Sequence, residues 1–510
     1  MSNVSKVYAA ELDGIEAKLI EVETDINVGL HSFNIVGLAD KALSEAKERV
    51  NSALKNIGVK APSKENRRIV VNLAPADIKK AGSQYDLAIA LGYLMASGQI
   101  KDFDSEKKIF VGELSLGGQL RPVNGALSIA RLARRLGFSE VFLPKDNAEE
   151  AAIIPDINVY GVDNLHDLIL HLEEREQLKI QPATAIEFKK AGDFPDFSEI
   201  KGQEHAKRAL TIAAAGGHNI IMMGPPGTGK TMLAQALNSI LPAPNLDEVI
   251  EMTQIYSAAG VLGDQPYINY RPFRSPHHSA SPVAVVGGGS TPKPGEISLA
   301  HRGVLFLDEL PEFRRDLLES LRQPLESGKV VVSRAKGSLH LPAKFILVAA
   351  MNPCPCGYYR DPENHCKCGA HEVFRYEKKV SGPLLDRIDL QIDVPRVKIE
   401  QLRNTKNVSE SEGVVKKVLA ARAIQKERFG KQKLITNSEM SSKLADKLID
   451  LDKSAEDFAK EFFDKSLLSA RGYYRVLKVA RTIADLEGAE KVAEGHLAEA
   501  FGYRVKTTSV

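Results

Sequence analysis

The stretch that most constrains this chain is GPPGTGKT, residues 224–231, which follows the apolar run IIMM and opens the helix-like pattern KTMLAQAL. Glycines let consecutive backbone N–H groups wrap a phosphate, a lysine neutralises the β- and γ-phosphate oxygens, and a threonine hydroxyl binds Mg²⁺. The stretch therefore predicts a strand, a phosphate-binding loop and a helix in an α/β domain. The predicted ATP-binding residues are Gly224, Pro225, Pro226, Gly227, Thr228, Gly229, Lys230 and Thr231.

Two further apolar runs end in residues suited to ATP hydrolysis. GVLFLDEL places Asp308 and Glu309 at the end of a strand, which we expect to be a second parallel strand beside the phosphate loop. Asp308 would hold Mg²⁺ together with Thr231, and Glu309 would orient and deprotonate the attacking water. FILVAAMNP predicts a third buried strand that ends in Asn352, which would contact the γ-phosphate or that water. The alternative is a helix-capping acid and a turn asparagine, but the phosphate loop favours catalysis.

Composition predicts a soluble globular protein of several domains. The chain has 510 residues, of which 43% are hydrophobic and 26% charged, with a formal net charge of +2. This balance indicates no particular partner. The N-terminal sequence lacks a signal-peptide pattern and no apolar run reaches 18 residues, so we expect a cytoplasmic protein without a membrane partner.

Hydrophobic periodicity divides the chain into four segments. Residues 1–178 alternate short apolar runs with amphipathic stretches, which predicts an α/β domain. Residues 179–200 are charged and contain proline, as a linker would be. A second α/β domain is expected over residues 201–395 and a helical domain over residues 396–510, where apolar residues recur at helical spacing.

All the cysteines of the chain lie in one short segment, residues 354–368, as two CxC pairs separated by nine residues. In a reducing compartment such a cluster favours a structural Zn²⁺ site over two disulfides, and the metal would have no part in the chemistry. His365 or His371 could replace one thiolate. The predicted zinc ligands are Cys354, Cys356, Cys366 and Cys368.

The motifs GPPGTGKT, LFLDE, the strand-terminal Asn352 and SGPLLDRIDL resemble AAA+ ATPases, specifically the magnesium-chelatase-like branch that also resembles MCM helicases. The resemblance implies that Arg387 is an arginine finger acting on the neighbouring subunit's ATP, and that Arg471 of SARGYYRVL is the arginine of the helical lid. A finger acting in trans implies a closed ring, in this family a homohexamer. The alternative for Arg471 is a solvated basic helix face shared with Arg475 and Lys478.

Two segments resemble elements that face the central pore of helicase-like rings. Residues 325–345, LESGKVVVSRAKGSLHLPAKF, predict a β-hairpin directly before the Asn352 strand, and residues 270–297 form an insertion rich in Arg, His, Gly and Pro that resembles a helix-2 insert. Basic groups on a pore loop grip phosphates. The predicted DNA contacts are Arg334, Lys336, His277 and His278. The alternative for the hairpin is an ordinary charged turn.

Residues 112–151 resemble the proteolytic domain of Lon proteases, which cut peptides with a Ser–Lys dyad. The position of the family's lysine falls on Leu127, which cannot act as a base, and Ser83 stands apparently one position early. Lys79 and Lys80 lie near Ser83 in sequence but are expected to be ordinary charges before a helix. The resemblance implies a Lon-like fold without the dyad, used for assembly or substrate contact.

The whole chain resembles the family of ComM and YifB proteins, magnesium-chelatase-like ATPases of bacteria. The resemblance implies a hexameric ATPase that uses ATP, Mg²⁺ and Zn²⁺ and migrates DNA branches during homologous recombination in natural transformation. Implied partners are single-stranded and branched DNA and a recombinase or other recombination proteins. Two alternatives remain open: a chelatase-type motor that remodels a protein partner, and an ATP-dependent Lon-like protease.

Overall fold

The chain consists of two compact units. The computed structural model describes residues 4–37, 41–64, 66–188, 194–289, 293–334, 337–397, 409–465 and 469–504. One unit combines Met1–Glu187 with Leu246–Ile268, and the other combines Phe188–Asn245 with Asn269–Val510. No helix in these described ranges is both long and apolar enough to cross a membrane.

The first unit is built on a mixed sheet with the strand order β3-β4-β2-β1-β5-β8-β9. Strand β2 pairs antiparallel with both β1 and β4, whereas β5, β8 and β9 continue the sheet in parallel. The strands are β1 Val4–Asp13, β2 Glu16–Val28, β3 Ser32–Val36, β4 Arg67–Ala74, β5 Lys108–Phe110, β6 Glu113–Leu114, β7 Leu120–Arg121, β8 Glu140–Pro144 and β9 Asn158–Val162. The predicted α/β domain is therefore confirmed.

The helices of this unit include one from much later in the chain. They are α1 Lys41–Ser44, α2 Ala46–Asn56, α3 Asp86–Ala96, α4 Ala126–Leu136, α5 Lys145–Ala151, α6 Leu165–Leu172 and the later α9 Leu246–Ala259. Helix α9 packs on α4, where Ser257 Oγ accepts a hydrogen bond of 2.8 Å from the backbone N–H of Gly125. Arg131 Nη1 donates to Gln254 Oε1 at 2.7 Å. The segment predicted to belong to the second α/β domain thus contributes a helix to the first unit.

The second unit contains a parallel sheet with the strand order β11-β14-β17-β10-β18. Its strands, with those of two small hairpins, are β10 Ile220–Met223, β11 Phe273–Arg274, β12 Gly287–Gly288, β13 Lys293–Pro294, β14 Val304–Leu307, β15 Lys329–Arg334, β16 Gly337–Pro342, β17 Ile346–Met351 and β18 Leu390–Asp393. Strands β10, β14 and β17 are buried along their whole length, which explains their unbroken apolar runs.

Strand β14 is parallel and ends beside the phosphate loop, where Asp308 contacts Thr231, as predicted, but one strand lies between β14 and β10. Strand β14 does not lie beside β10, because β17 pairs with both and separates them. A parallel sheet permits this order since each strand returns through a crossover rather than a hairpin. The carboxyl ends of the three strands still meet at one edge of the sheet, where Asp308, Glu309 and Asn352 follow β14 and β17.

The predicted β-hairpin is present as β15 and β16, which pair antiparallel from Lys329 opposite Pro342 to Arg334 opposite Gly337. Arg334 is the last residue of β15. Lys336 lies outside the described residues.

Helices surround the parallel sheet and fill the C-terminal segment. They are α7 Glu204–Gly216, α8 Lys230–Ile240, α10 Pro282–Val286, α11 Glu296–Leu299, α12 Arg315–Ser320, α13 Arg322–Ser327, α14 Ala370–Glu377, α15 Gly382–Leu385, α16 Ser411–Phe429, α17 Ser442–Leu448, α18 Lys453–Lys465, α19 Ala470–Glu487 and α20 Glu494–Gly502. The predicted helical C-terminal domain is confirmed. Its buried side chains belong to the same hydrophobic cluster as those of β10, β14 and β17, so the sheet and the C-terminal helices share one core.

Candidate active site and metal centre

The phosphate-binding loop lies between β10 and α8, as the sequence predicts. Gly227 and Gly229 have φ values of 78° and 84°, which side-chain-bearing residues rarely adopt. The loop is closed internally, because Thr228 Oγ1 donates to the carbonyl of Pro225 at 3.0 Å. Its backbone and the N-terminus of α8 are therefore shaped to receive an anion.

Lys230 is buried at the start of α8 with its ammonium group held by three oxygens. Nζ donates to the carbonyls of Gly224 at 2.8 Å and Pro225 at 2.9 Å, and to Asn352 Oδ1 at 3.3 Å. Burial lowers the pKa of Lys230. A bound phosphate would favour the charged form of this lysine, since an anion close by offsets the cost of desolvation.

The two residues predicted to bind Mg²⁺ are in direct contact. Thr231 Oγ1 donates to Asp308 Oδ2 at 3.0 Å, so one cation placed at the mouth of the loop could take an oxygen, or a water held by an oxygen, from each. Neutral hydroxyl and carboxylate oxygens are the ligands that Mg²⁺ prefers.

Glu309 has an unusual backbone and an exposed carboxylate. Its φ and ψ are 51° and 47°, a left-handed conformation that costs a non-glycine residue about 1–2 kcal/mol. The backbone N–H of Glu309 donates to Asp308 Oδ1 at 2.9 Å, which couples the two acids. The Glu309 side chain is 55% exposed. A reachable carboxylate in a strained turn beside the metal ligands is suited to activating a water.

The histidine pair predicted to contact DNA lies next to this carboxylate. His278 Nδ1 is 3.7 Å from Glu309 Oε2, and the rings of His277 and His278 lie 4.0 Å apart between centroids. His277 is further held by Ser279, whose Oγ is 2.7 Å from its Nδ1. The insertion therefore reaches the active site, a placement that sequence spacing did not indicate.

Asn352 follows β17 directly and faces the phosphate loop through its contact with Lys230. Behind it, Tyr376 of α14 makes a hydrogen bond with the Asn352 backbone. Burial, with the negative charges of Glu312 and Glu309, raises the pKa of Tyr376 to about 12. The tyrosine is therefore a neutral hydroxyl that fixes the end of β17.

Arg387 and Arg471 converge on one carboxylate rather than on the phosphate loop. Arg387 Nη2 pairs with Glu326 Oε2, and Arg471 Nη2 lies 3.4 Å from Glu326 Oε1. The hydrogen bond from Arg387 lowers the pKa of Glu326. Side-chain exposure is 14% for Arg387 and 70% for Arg471. The two guanidinium groups can therefore approach one anion together. Glu326 carries no sequence signal that would have identified it.

The alternative of a solvated basic face on α19 is wrong for Arg475 and Lys478, because both are largely buried. Arg475 Nη1 donates to Asp389 Oδ1 at 2.6 Å and to the carbonyl of Arg387 at 3.0 Å. Lys478 donates to the carbonyl of Ser438 at 3.2 Å, and burial lowers its pKa to about 8. Only the first of the three basic residues points into solvent, because the other two are turned towards Asp389 and the carbonyl of Ser438.

The four cysteines form one cluster. Cys354 Sγ lies 3.4 Å from Cys356 Sγ and 3.7 Å from Cys366 Sγ, and Cys356 Sγ lies 3.6 Å from Cys366 Sγ. All four sulfurs lie within 4.8 Å of one another and none is in a disulfide. Four thiolates at about 2.3 Å from a tetrahedral metal would be about 3.8 Å apart. The spacing fits a closed Zn²⁺ site.

Backbone N–H groups favour the thiolate at Cys356, whereas burial and the neighbouring thiols raise the pKa values of Cys366 and Cys368. The backbone N–H groups of Tyr358 and Lys367 lower the pKa of the Cys356 thiol to about 6. Within the described residues, the group of potential ligands at this place consists of cysteines alone, without His365 or His371.

The first unit does not bring a Ser–Lys pair together. Leu127 is buried in α4, and its backbone N–H donates to Glu150 Oε1 at 2.8 Å. The hydroxyl of Ser83 bonds to Glu113, whereas the buried ammonium of Lys80 bonds to the carbonyl of Pro75. Each group thus bonds to its own partner, and the described residues show no hydrogen bond between the Ser83 hydroxyl and the Lys80 ammonium.

Three family models match successive segments of the chain. Residues 196–402 match the family model for magnesium chelatase, subunit ChlI. Residues 22–147 match a second model, subunit ChlI of Mg-chelatase, and residues 408–504 match the ChlI C-terminal model.

The chain is 46% identical to the competence protein ComM of Haemophilus influenzae over 98% of its own length and 97% of the relative's. It belongs to the ComM and YifB family. An uncharacterized YifB protein of Escherichia coli is 42% identical over 98% of this chain and 97% of that protein. The magnesium-chelatase 38 kDa subunit of Rhodobacter capsulatus is 25% identical over 60% of this chain and 84% of that subunit. Membership implies a magnesium-chelatase-like AAA+ module, ATPase activity, and ATP and Mg²⁺ as its ligands.

Proposed function

We propose that this protein is an ATP-driven DNA translocase that migrates branches during homologous recombination of incoming DNA, as in natural transformation. The observation that carries the proposal is the 46% identity, over nearly the whole chain, to a competence protein. The ATP site supplies a motor, and the hairpin of β15 and β16 supplies an element that such a motor could move.

In the proposed reaction the phosphate loop binds the nucleotide and Lys230 neutralises its β- and γ-phosphates. Thr231 and Asp308 hold Mg²⁺, directly or through its waters. Glu309 takes a proton from the attacking water, and Asn352 orients that water or the γ-phosphate. The contacts of Lys230 with Asn352 and of Thr231 with Asp308 support these roles, because they join the four groups at one edge of the sheet.

We further propose that the active form is a homohexameric ring in which Arg387 acts on the ATP of the neighbouring subunit, with Arg471 beside it. The shared contact with Glu326 supports joint action, since both guanidinium groups already bind one anionic group. A site that needs a neighbour's arginine hydrolyses ATP only in the assembled ring.

DNA would pass the hairpin, where Arg334 and Lys336 are the proposed phosphate contacts, and the insertion that carries His277 and His278. The proposed partners are single-stranded and branched DNA and a recombinase or other recombination protein, in the cytoplasm. Phosphate contacts of this kind make affinity depend on salt, because bound counterions are released.

The four-cysteine cluster is proposed to bind one structural Zn²⁺ per chain. The sulfur spacing and the backbone N–H donors on Cys356 support it, since both are features of closed thiolate sites. Metal analysis of protein purified without chelator should give close to one zinc per chain. A value well below one half, with all thiols free, would exclude the site.

A three-stranded junction assay tests the main proposal. Purified protein with ATP and Mg²⁺ should displace one labelled strand, and the Glu309→Gln protein should not. Stimulation of ATPase by single-stranded or forked DNA should accompany displacement. ATPase activity that is unaffected by any DNA, with no strand displaced, would refute the translocase.

A chelatase-type motor is the second candidate, favoured by the match of the ChlI family models to all three segments. That function predicts ATPase activity that responds to a protein partner and not to DNA. The same ATPase measurements therefore separate the two functions.

A further inference from the structure

The loop that carries the four cysteines touches the phosphate loop directly. Gly357 is buried and has a φ of 86°. A Cβ atom placed on Gly357 would lie 2.6 Å from Cδ and 2.7 Å from Cγ of Pro226, and 3.9 Å from Cγ of Asn352. A glycine is needed here both for the backbone conformation and for the close approach. Its backbone therefore packs against the phosphate loop and beside the residue at the end of β17.

The first two cysteines hold the backbone of Gly357 in place. Gly357 follows Cys356 in the chain, and its backbone N–H donates to the carbonyl of Cys354 at 3.0 Å. The backbone N–H of Tyr358, the next residue, points at the Cys356 sulfur. Gly357 thus belongs to the turn that brings the sulfurs of Cys354 and Cys356 together.

We propose that the metal-bound cysteine loop is a support for the phosphate loop, and that nucleotide affinity therefore depends on the metal. The inference rests on the proposed zinc site and adds to it a position-setting role at the ATP site. Hydrogen bonds hold the carbonyls of Gly224 and Pro225, but Pro226 is exposed and is followed by the left-handed Gly227. Contact with Gly357 on one side limits the conformations that this loop can adopt.

The expected size of the effect follows from the population of the binding-competent loop. When only a fraction of molecules has the competent conformation, the apparent Kd rises by the inverse of that fraction. If loss of the support lowers this fraction to about one tenth, nucleotide binds about tenfold more weakly. Hydrolysis of the nucleotide that does bind would change less, because Asp308 and Glu309 follow β14 and not the phosphate loop.

The test removes the contact without touching a metal ligand. In Gly357→Ala the new methyl group would collide with Pro226, whereas all four cysteines remain. Gly369→Ala is the matched control in the same segment: its φ is −69°, and within the described chain no atom lies within 4 Å of an added Cβ. Gly488→Ala controls for backbone strain alone, since Gly488 has a φ of 70° and an equally open surrounding in the described residues.

Zinc content and the Kd of a fluorescent ADP analogue are measured for each purified protein and for wild type stripped of metal by a chelator. We expect Gly357→Ala to keep its zinc and to bind the analogue about tenfold more weakly, and the two controls to match wild type. Wild type stripped of metal should also bind the analogue about tenfold more weakly. Stripping metal from Gly357→Ala should raise its Kd little further.

Unchanged Kd values in both Gly357→Ala and stripped wild type would overturn the support while leaving the zinc site intact. Zinc-free protein as purified would overturn the zinc site and the metal dependence together. Because stripped wild type tests the support without any substitution, poor folding of Gly357→Ala does not prevent a decision.

Discussion

Arg471 and Arg475 of α19 should differ in how much they stabilise the fold, although they are only four residues apart. Arg475 binds the buried Asp389, whose side chain is 4% exposed, whereas Arg471 binds the half-exposed Glu326 from solvent. We compare Arg475→Met with Arg471→Met, because methionine keeps most of the aliphatic stem and removes only the guanidinium group. The pair separates a loss of hydrolysis that accompanies lower stability from a loss of hydrolysis at unchanged stability.

The magnitudes follow from burial. Removing one partner of a buried ion pair costs about 3–5 kcal/mol. Asp389 keeps the backbone N–H of Asn219 at 3.0 Å and has His218 Nδ1 at 3.7 Å, so we expect the lower end, about 3 kcal/mol. An exposed pair contributes about 0–1 kcal/mol, and Arg471→Met should therefore unfold almost like wild type.

Urea unfolding, nucleotide binding and ATPase rate are measured on both proteins. Arg475→Met should unfold at clearly lower urea, and its hydrolysis should fall as well, since Arg475 also holds the carbonyl of Arg387 at 3.0 Å. Arg471→Met should bind nucleotide normally and hydrolyse it slowly. Equal unfolding midpoints for wild type and Arg475→Met would show that the buried pair does not stabilise the fold as argued.

Three further predictions concern the motor. Lys230→Ala should lose nucleotide binding, whereas Glu309→Gln should bind ATP and hydrolyse it about 10²- to 10⁴-fold more slowly; near-normal turnover in Glu309→Gln would remove its role as base. Arg387→Ala should bind ATP without hydrolysing it, and mixing it with Lys230→Ala should restore some activity; loss of nucleotide binding in Arg387→Ala would instead indicate a role in its own subunit. Lys336→Ala should reduce DNA-stimulated but not basal ATPase and weaken the salt dependence of DNA affinity, and an unchanged salt slope would return the hairpin to an ordinary charged turn.

The parts of the site that sequence predicts well are those encoded by consecutive residues. The phosphate loop, the acid pair after β14 and the CxC pairs each depend on a short motif, and parallel strands bring their carboxyl ends to one edge. Strand order was not predictable in the same way. The apolar runs of β14 and β17 look alike, so the sequence does not show which of them pairs with β10.

Contacts between distant segments could not be predicted, because no local pattern marks them. Glu326 is one glutamate among several in a helical stretch, and only the fold brings it to Arg387, 61 residues away. Gly357 and Pro226 are 131 residues apart, with β11, β14 and β17 between them in sequence, yet they are in contact. Both contacts underlie proposals that the individual residues do not suggest, and only the fold shows them.

The assignment of α9 shows why a domain boundary drawn from periodicity differs from one drawn from packing. Helix α9 follows α8 in the segment that matches the ChlI family model, and its pattern reads as one more helix of the motor. Its buried polar residues nevertheless form hydrogen bonds within the first unit. Ser257 accepts one from Gly125, and Gln254 accepts one from Arg131. Buried polar groups need such partners, so they fix where a helix packs more firmly than its apolar residues do. The core of the first unit is therefore completed by residues that follow α8 in the chain, and a cut near residue 187 would remove α9 from that unit.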